Sequence, residues 1–185
     1  MQSLFYYYKP TVEPFRSVME FDDEEIIEFM RSNIPDDAIF HANPERHLRR
    51  RRETESWLYE TFRHLGGKPE ICHPIYMTLG RSSYIEQGSP YTAHMEFPLT
   101  LFSESTISFT YPDSYVSRWL AETGNEYFNP KFHGKLFTVS SLHSLLEDGS
   151  VHNETWRTEK RKYDFFVEAQ IWNAKPLEEW LNSKS

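Results

Sequence analysis

The amino-acid sequence predicts an α+β domain, a strand-rich core split by a cleft, with the helices mainly in its N-terminal part. Three observations carry that expectation. Apolar residues recur at helical spacing behind a capping residue between positions 44 and 64, short aromatic and β-branched runs come next between turn residues, and 185 residues suit one domain with one core. No repeat of roughly 20–50 residues and no low-complexity linker divides the chain, so residues 1–185 read as a single domain.

Asp22-Asp23-Glu24-Glu25 places carboxylates in a first helical turn, where the helix dipole favours them, and Ile26, Ile27 and Met30 supply its apolar side. Asn43 caps the second helix and Pro44 takes its first position, after which Leu48, Leu58, Phe62 and Leu65 keep near-helical spacing until Gly66-Gly67. Residues 74–79, 97–102 and 106–111 then read as strands. Asp113-Ser114 caps a brief helix holding Val116, Trp119 and Leu120; 135–139 reads as a strand with Ser140 or Ser141 capping the segment after it, and 164–172 reads as the last strand.

Composition narrows the function classes. Lys+Arg 20 against Asp+Glu 28 gives a net charge of −8, which argues against phosphate binding across the whole surface and leaves room for a local basic groove. The chain has no apolar run near the ~18 residues of a membrane span, and its first residues lack a signal-peptide pattern. With one cysteine, Cys72, no internal disulfide forms, and a reducing cytoplasm is the expected compartment. The eight histidines show no metalloprotease, zinc-finger or deaminase spacing, so no catalytic metal is expected. Neither GxGxxG nor GxxxxGK[ST] occurs, which excludes the usual phosphate-cradling loops.

Several residues stand out against that background. Arg46-His47-Leu48-Arg49-Arg50-Arg51-Arg52 is the conspicuous charge feature; successive arginines fan out by about 100° on a helix, so Arg46, Arg49 and Arg50 share a face while the four in a row do not. That face reads either as solvated and paired with Glu45, Glu53 and Glu55, or as an electrostatic contact for nucleic acid. Glu168 interrupts the apolar stretch 165–172; alternation puts it on one side of a strand with Gln170, opposite Val167, Ala169 and Ile171. A carboxylate there needs a partner or a task, unless the strand is an edge whose polar side meets water. Arg81-Ser82-Ser83-Tyr84 puts a guanidinium, two hydroxyls and a phenol at a strand end, a turn able to grip an anion, and an ordinary surface turn fits these residues equally. His41 ends another short apolar run.

Taken in chain order, His41, His47-Leu48, the element from Pro74 to Tyr84 with its Arg81-Ser82, the turn Phe109-Thr110-Tyr111-Pro112-Asp113, and the ending Trp156, Arg157, Lys160, Arg161, Lys162, Val167-Glu168-Ala169-Gln170-Ile171 and Pro176 form one ordered set. Over residues 38–177 that set resembles the DarT-type DNA ADP-ribosyltransferase toxins. The resemblance implies an ADP-ribosyltransferase-like fold, NAD as substrate, a nucleobase in single-stranded DNA as acceptor, and a toxin–antitoxin setting in which an antitoxin protein is a possible partner. It makes Glu168 the catalytic carboxylate, aimed at the positive charge that develops on the ribose as nicotinamide departs. Arg81 then binds the dinucleotide phosphates with Ser82, His41 holds the nicotinamide-side ribose, and Tyr76 or Tyr84 stacks on the nicotinamide ring. Arg46, Arg49 and Arg50 steer the DNA strand, whose bases stack on Phe109, Tyr111 and Tyr115. Two other readings stay open: a non-catalytic module binding a nucleotide or protein on the same fold, and a metal-independent nuclease or hydrolase that sets His41 or His133 beside a carboxylate.

Overall fold

The structure is a computed structural model and describes residues 2–10, 14–15, 17–33, 43–88 and 93–184. Its class is α+β, as the sequence predicts. Strands β1 (Ser3–Tyr8), β2 (Ile75–Leu79), β3 (Ala93–Pro98), β4 (Ile107–Thr110) and β5 (Glu168–Ile171) form one antiparallel sheet in the order β3-β1-β2-β5-β4. Among the described residues the core is therefore one continuous sheet rather than the split core expected. The helices are α1 (Asp23–Asn33), α2 (Pro44–His64), α3 (Ser83–Gly88), α4 (Ser114–Thr123), α5 (Val139–Glu147) and α6 (Lys175–Asn182). The two longest, α1 and α2, lie in the N-terminal part, as expected, and the shorter α4, α5 and α6 follow β4.

Local chemistry explains where elements begin. Asn43 Oδ1 accepts the Arg46 amide and Pro44 opens α2, which runs over the span predicted for it. Asp113 Oδ1 accepts the Val116 amide at the start of α4, and α5 is capped by Thr138, not by Ser140 or Ser141. The run 97–102 is a strand only to Pro98, because Leu99–Leu101 turns into a 3-10 helix. Of 135–139 only Phe137 pairs with the sheet, through a single bridge to Phe109.

Alternation gives the centre of the sheet two unlike faces. Ile75, Met77 and Leu79 of β2, Ile107 and Phe109 of β4, and Ala169 and Ile171 of β5 pack into the main core with Leu142 and Leu145 of α5 and Leu177 of α6. The other face carries Tyr76, Thr78, Ser108, Thr110, Glu168 and Gln170, with Tyr76 and Ser108 flanking Gln170, and Thr78 and Thr110 flanking Glu168. Helix α2 lies on this polar face. Leu58 and Phe62 of α2 pack against Trp172, its indole stacked on the Phe62 ring with centroids 5.6 Å apart. Each such fully buried apolar side chain contributes roughly 1.5–3 kcal/mol. One turn back along α2, the same contact stripe is charged.

Candidate functional site

Glu168 sits on an internal strand and is 6% exposed, so the edge-strand explanation of its polarity does not apply. A one-way chain of hydrogen bonds leads to it. Trp172 Nε1 donates to Ser108 Oγ at 2.9 Å, which obliges that hydroxyl to point its hydrogen at Gln170 Oε1, also 2.9 Å away. The Gln170 amide nitrogen then faces Thr110 Oγ1 at 3.0 Å and Glu168 Oε1 at 2.9 Å. Oε1 also accepts the Ser114 amide at 3.0 Å, at the positive end of α4, and the Thr110 hydroxyl at 3.5 Å. Three donors thus hold one oxygen of the carboxylate. Among the described residues none donates to the other oxygen, Oε2.

The rest of the cluster comes from α2. Leu48, Arg51, Glu55, Leu58 and Phe62 fall at spacings of three and four, so Arg51 and Glu55 occupy the middle of the buried stripe. Glu55, 2% exposed, accepts the Tyr76 hydroxyl at 2.9 Å on Oε1 and forms an ion pair with Arg51, whose Nε lies 3.3 Å from the same oxygen, while Oε2 lies 2.6 Å from His73 Nδ1. The Arg51 guanidinium stacks on the Tyr76 ring, 4.1 Å from its centroid. Burial opposes the charge on Arg51, but the Tyr76 phenol and the carboxylates of Glu55, Glu168 and Asp113 outweigh that and hold it firmly cationic. Burial raises the Tyr76 phenol well above its ordinary value, Arg51 offsets part of this, and Glu55 and Glu168 add to it. One cation serves three carboxyl groups.

Asp113 is where that imbalance appears. Burial and the neighbouring Glu168 push its carboxyl up to about 7, against the opposing pull of the Val116 amide and Arg51. Between about 4 and about 7 the folded protein holds a proton on Asp113 that the unfolded chain has released, so this group's contribution to stability falls as pH rises through that window and is flat above it. Asp113→Asn, which keeps a capping side chain, is expected to be more stable than wild type at pH 8 by on the order of 2 kcal/mol, the gap closing toward pH 4, as read by urea unfolding.

The residues singled out from the sequence divide around this cluster. Tyr76 belongs to it. Tyr84, 38% exposed, stacks on Phe165 at 4.0 Å, and its phenol is raised first by burial and then by the charge of Asp113, which places it beside the same site. Tyr115 is half-buried, its ring 4.9 Å from His47 and 5.4 Å from the Arg50 guanidinium. Arg81 and Ser82 take a different direction: Arg81, 63% exposed, pairs with Glu86 at 2.9 Å, and the Ser82 amide donates to the Tyr7 hydroxyl at 3.0 Å. His41 lies outside the described residues.

Three expectations need correction. Phe109 and Tyr111 have no exposed surface, because alternation points Phe109 into the apolar face and the Tyr111 hydroxyl is spent on the His152 carbonyl, so neither ring can receive a base. Arg46 and Arg49 are exposed and Arg51 pairs with Glu55 within α2, but Arg50 pairs with Glu122 and Arg52 with Asp23, outside that helix. His133 does meet a carboxylate, with Nε2 2.9 Å from Asp164 Oδ1, but its Nδ1 accepts the Asn129 amide and the residue is 3% exposed. Both ring nitrogens are committed, which leaves no lone pair for a substrate proton and removes the His133 form of the hydrolase reading.

Sequence reasoning missed Arg51, Glu55 and the part that Asp113 plays beyond capping. The signal for the first two was present, since 48, 51, 55, 58 and 62 are one helical stripe. Among the described residues no group of three His, Cys, Asp or Glu side chains is arranged to hold a metal ion, and no helix is long and apolar enough to cross a membrane. Comparison with protein-family models, with curated proteins and with solved structures finds no match.

Proposed function

We propose that this protein is an NAD-dependent ADP-ribosyltransferase that modifies a nucleobase in single-stranded DNA, with Glu168 as its catalytic carboxylate. The observation that carries the reading is the asymmetry of Glu168: Oε1 is fixed by three donors on an internal strand while Oε2 is left without one among the described residues. A carboxylate held in that way is oriented before substrate arrives, which is the condition for stabilising charge that exists only in the transition state.

In the transfer, the bond between the ribose anomeric carbon and nicotinamide breaks and its electron pair leaves with nicotinamide. Glu168 Oε2 faces the developing oxocarbenium ion and takes a hydrogen bond from a ribose hydroxyl. An acceptor nitrogen supplies the electron pair of the new bond, and its proton passes to Glu168 and from there to solvent. Tyr84, at the rim beside Asp113, offers an exposed ring for stacking. Arg81 keeps most of its guanidinium in solvent, open to the dinucleotide phosphates.

The low exposure of Glu168 and the satisfaction of its Oε1 also favour a non-catalytic binding module, and one experiment separates the two. NAD at tenfold over its dissociation constant is expected to stabilise the folded state by about 1.4 kcal/mol, or roughly 3–5 °C in melting temperature. Arg81→Ala is expected to remove most of that rise. No rise with the wild-type protein contradicts the NAD reading; a rise untouched by Arg81→Ala takes the phosphates away from Arg81.

A further inference from the structure

At the end of the ladder between β2 and β5 a side chain stands where a backbone hydrogen bond belongs. The two strands pair as far as Thr78 and Glu168, and the next step, Leu79 with Val167, is one at which an antiparallel ladder exchanges two bonds. One of them forms: the Leu79 amide donates to the Val167 carbonyl at 3.0 Å. Among the described residues the return bond is replaced by Asn153, whose Oδ1 accepts the Val167 amide at 2.9 Å and whose Nδ2 donates to the Leu79 carbonyl at 2.7 Å. Nδ2 also donates to the Arg81 carbonyl at 2.9 Å. These partners fix the orientation of the side-chain amide, because an N–H only donates and a carbonyl only accepts.

Stability alone does not ask for this arrangement. Leu79 and Val167 are buried, so their backbone groups need partners, yet each could serve the other directly at about 2.9 Å. The inserted amide holds them farther apart than a direct bond would. Both sides of the opening lead to residues of the site. Glu168 follows Val167, while Gly80, whose φ of +70 to +80° region the chain needs to turn out of β2, leads to Arg81 and Ser82. Asn153 is itself anchored on either side. The His152 carbonyl accepts the Tyr111 hydroxyl at 3.0 Å and the Thr155 hydroxyl at 2.8 Å, and Glu154 Oε2 accepts the Ser83 hydroxyl at 2.9 Å.

We infer that Asn153 is a positioning residue: it wedges β2 from β5 beside Glu168 and sets how far the Arg81–Ser82 turn stands from that carboxylate. Its part in catalysis rests on the proposed NAD transfer, whereas the wedge does not. In that transfer the turn grips the phosphates and Glu168 meets the ribose, so the spacing between them decides whether bound NAD presents its anomeric carbon to Oε2. A misplacement of about 1 Å is enough to slow such a step ~10²-fold. The position demands asparagine, a planar group with an acceptor on one side and two donors on the other; serine lacks the reach and aspartate lacks the donors.

The test combines a measurement that needs no substrate with a rate that does. Scalar couplings across hydrogen bonds, recorded by NMR on the full chain, show which carbonyl carbon each amide bonds to. In wild type the Val167 amide is expected to couple to Cγ of Asn153. In Asn153→Ala and Asn153→Ser it is expected to couple to the Leu79 carbonyl carbon, the ladder having closed, and a thermal melt checks that each variant folds. The kcat for nicotinamide release from NAD is expected to fall by ~10²-fold in both variants while KM changes by less than about threefold, since the Arg81 guanidinium is kept. A Val167 amide coupled to Leu79 in wild type overturns the inference. Wild-type kcat in a variant whose ladder has closed overturns it as well, as does a loss confined to KM. A wild-type protein that shows the Asn153 coupling and releases no nicotinamide supports the wedge and overturns the NAD reading instead.

Discussion

Glu168→Gln is expected to lower ADP-ribosyl transfer by ~10²–10³-fold or more while leaving the fold intact. The expectation is specific because glutamine keeps the shape and keeps an oxygen for the three donors on Oε1, from Ser114, Gln170 and Thr110. Only the charge facing the ribose is lost. Turnover measured beside a thermal melt separates a chemical defect from a folding one. Wild-type turnover in a folded Glu168→Gln protein contradicts the assignment of Glu168.

The second large effect is on stability. Arg51→Met is expected to destabilise the protein by about 3–5 kcal/mol, because removing one partner of a buried charge network leaves the others uncompensated. Arg51 is the cation that serves Glu55, Asp113 and Glu168 together, and it also covers the Tyr76 ring. Methionine replaces the packing of the arginine stem but not its charge. Urea unfolding measures the loss, and combining Arg51→Met with Glu55→Gln is expected to cost less than the sum of the two, since part of the single-variant loss is the stranded charge of Glu55. Strict additivity of the two substitutions contradicts a coupled network.

These two residues also show what a sequence can and cannot disclose. Helix α2 was legible from end to end, because an asparagine cap, a proline at the first position and a Gly-Gly stop are local signals. Glu168 was legible as well, since an acid inside an apolar strand is a local contradiction and alternation placed Gln170 beside it. Arg51 was hidden in a run of four arginines that reads as a solvated face. Its half-buried place over the sheet is decided by the stripe it shares with Leu48, Leu58 and Phe62, a pattern visible only when charged positions are admitted to it.

Other features depend on pairing that no local pattern reveals. β1 is an aromatic run at the chain start whose place between β3 and β2 rests on partners about 70 to 95 residues away. The meeting of the Ser114 amide with Glu168 brings the start of α4 to the start of β5, through the register that sets Thr110 opposite Glu168. Phe109 and Tyr111 looked like stacking rings because aromatic composition does not say which face of a strand is covered. The segment 135–139 had strand-forming residues, yet only Phe137 found a backbone partner.

The central claim, that a buried carboxylate on β5 cleaves the nicotinamide bond of NAD and passes the ADP-ribosyl group to DNA, meets its most direct test in a single assay. Purified wild-type and Glu168→Gln proteins are incubated with NAD and a mixture of single-stranded oligonucleotides containing all four bases, then nicotinamide is quantified by chromatography and the oligonucleotides are weighed by mass spectrometry. The account predicts nicotinamide release by wild type, an oligonucleotide heavier by one ADP-ribosyl group, and neither product from Glu168→Gln. A folded wild-type protein that releases no nicotinamide, or a Glu168→Gln protein that releases as much as wild type, contradicts it.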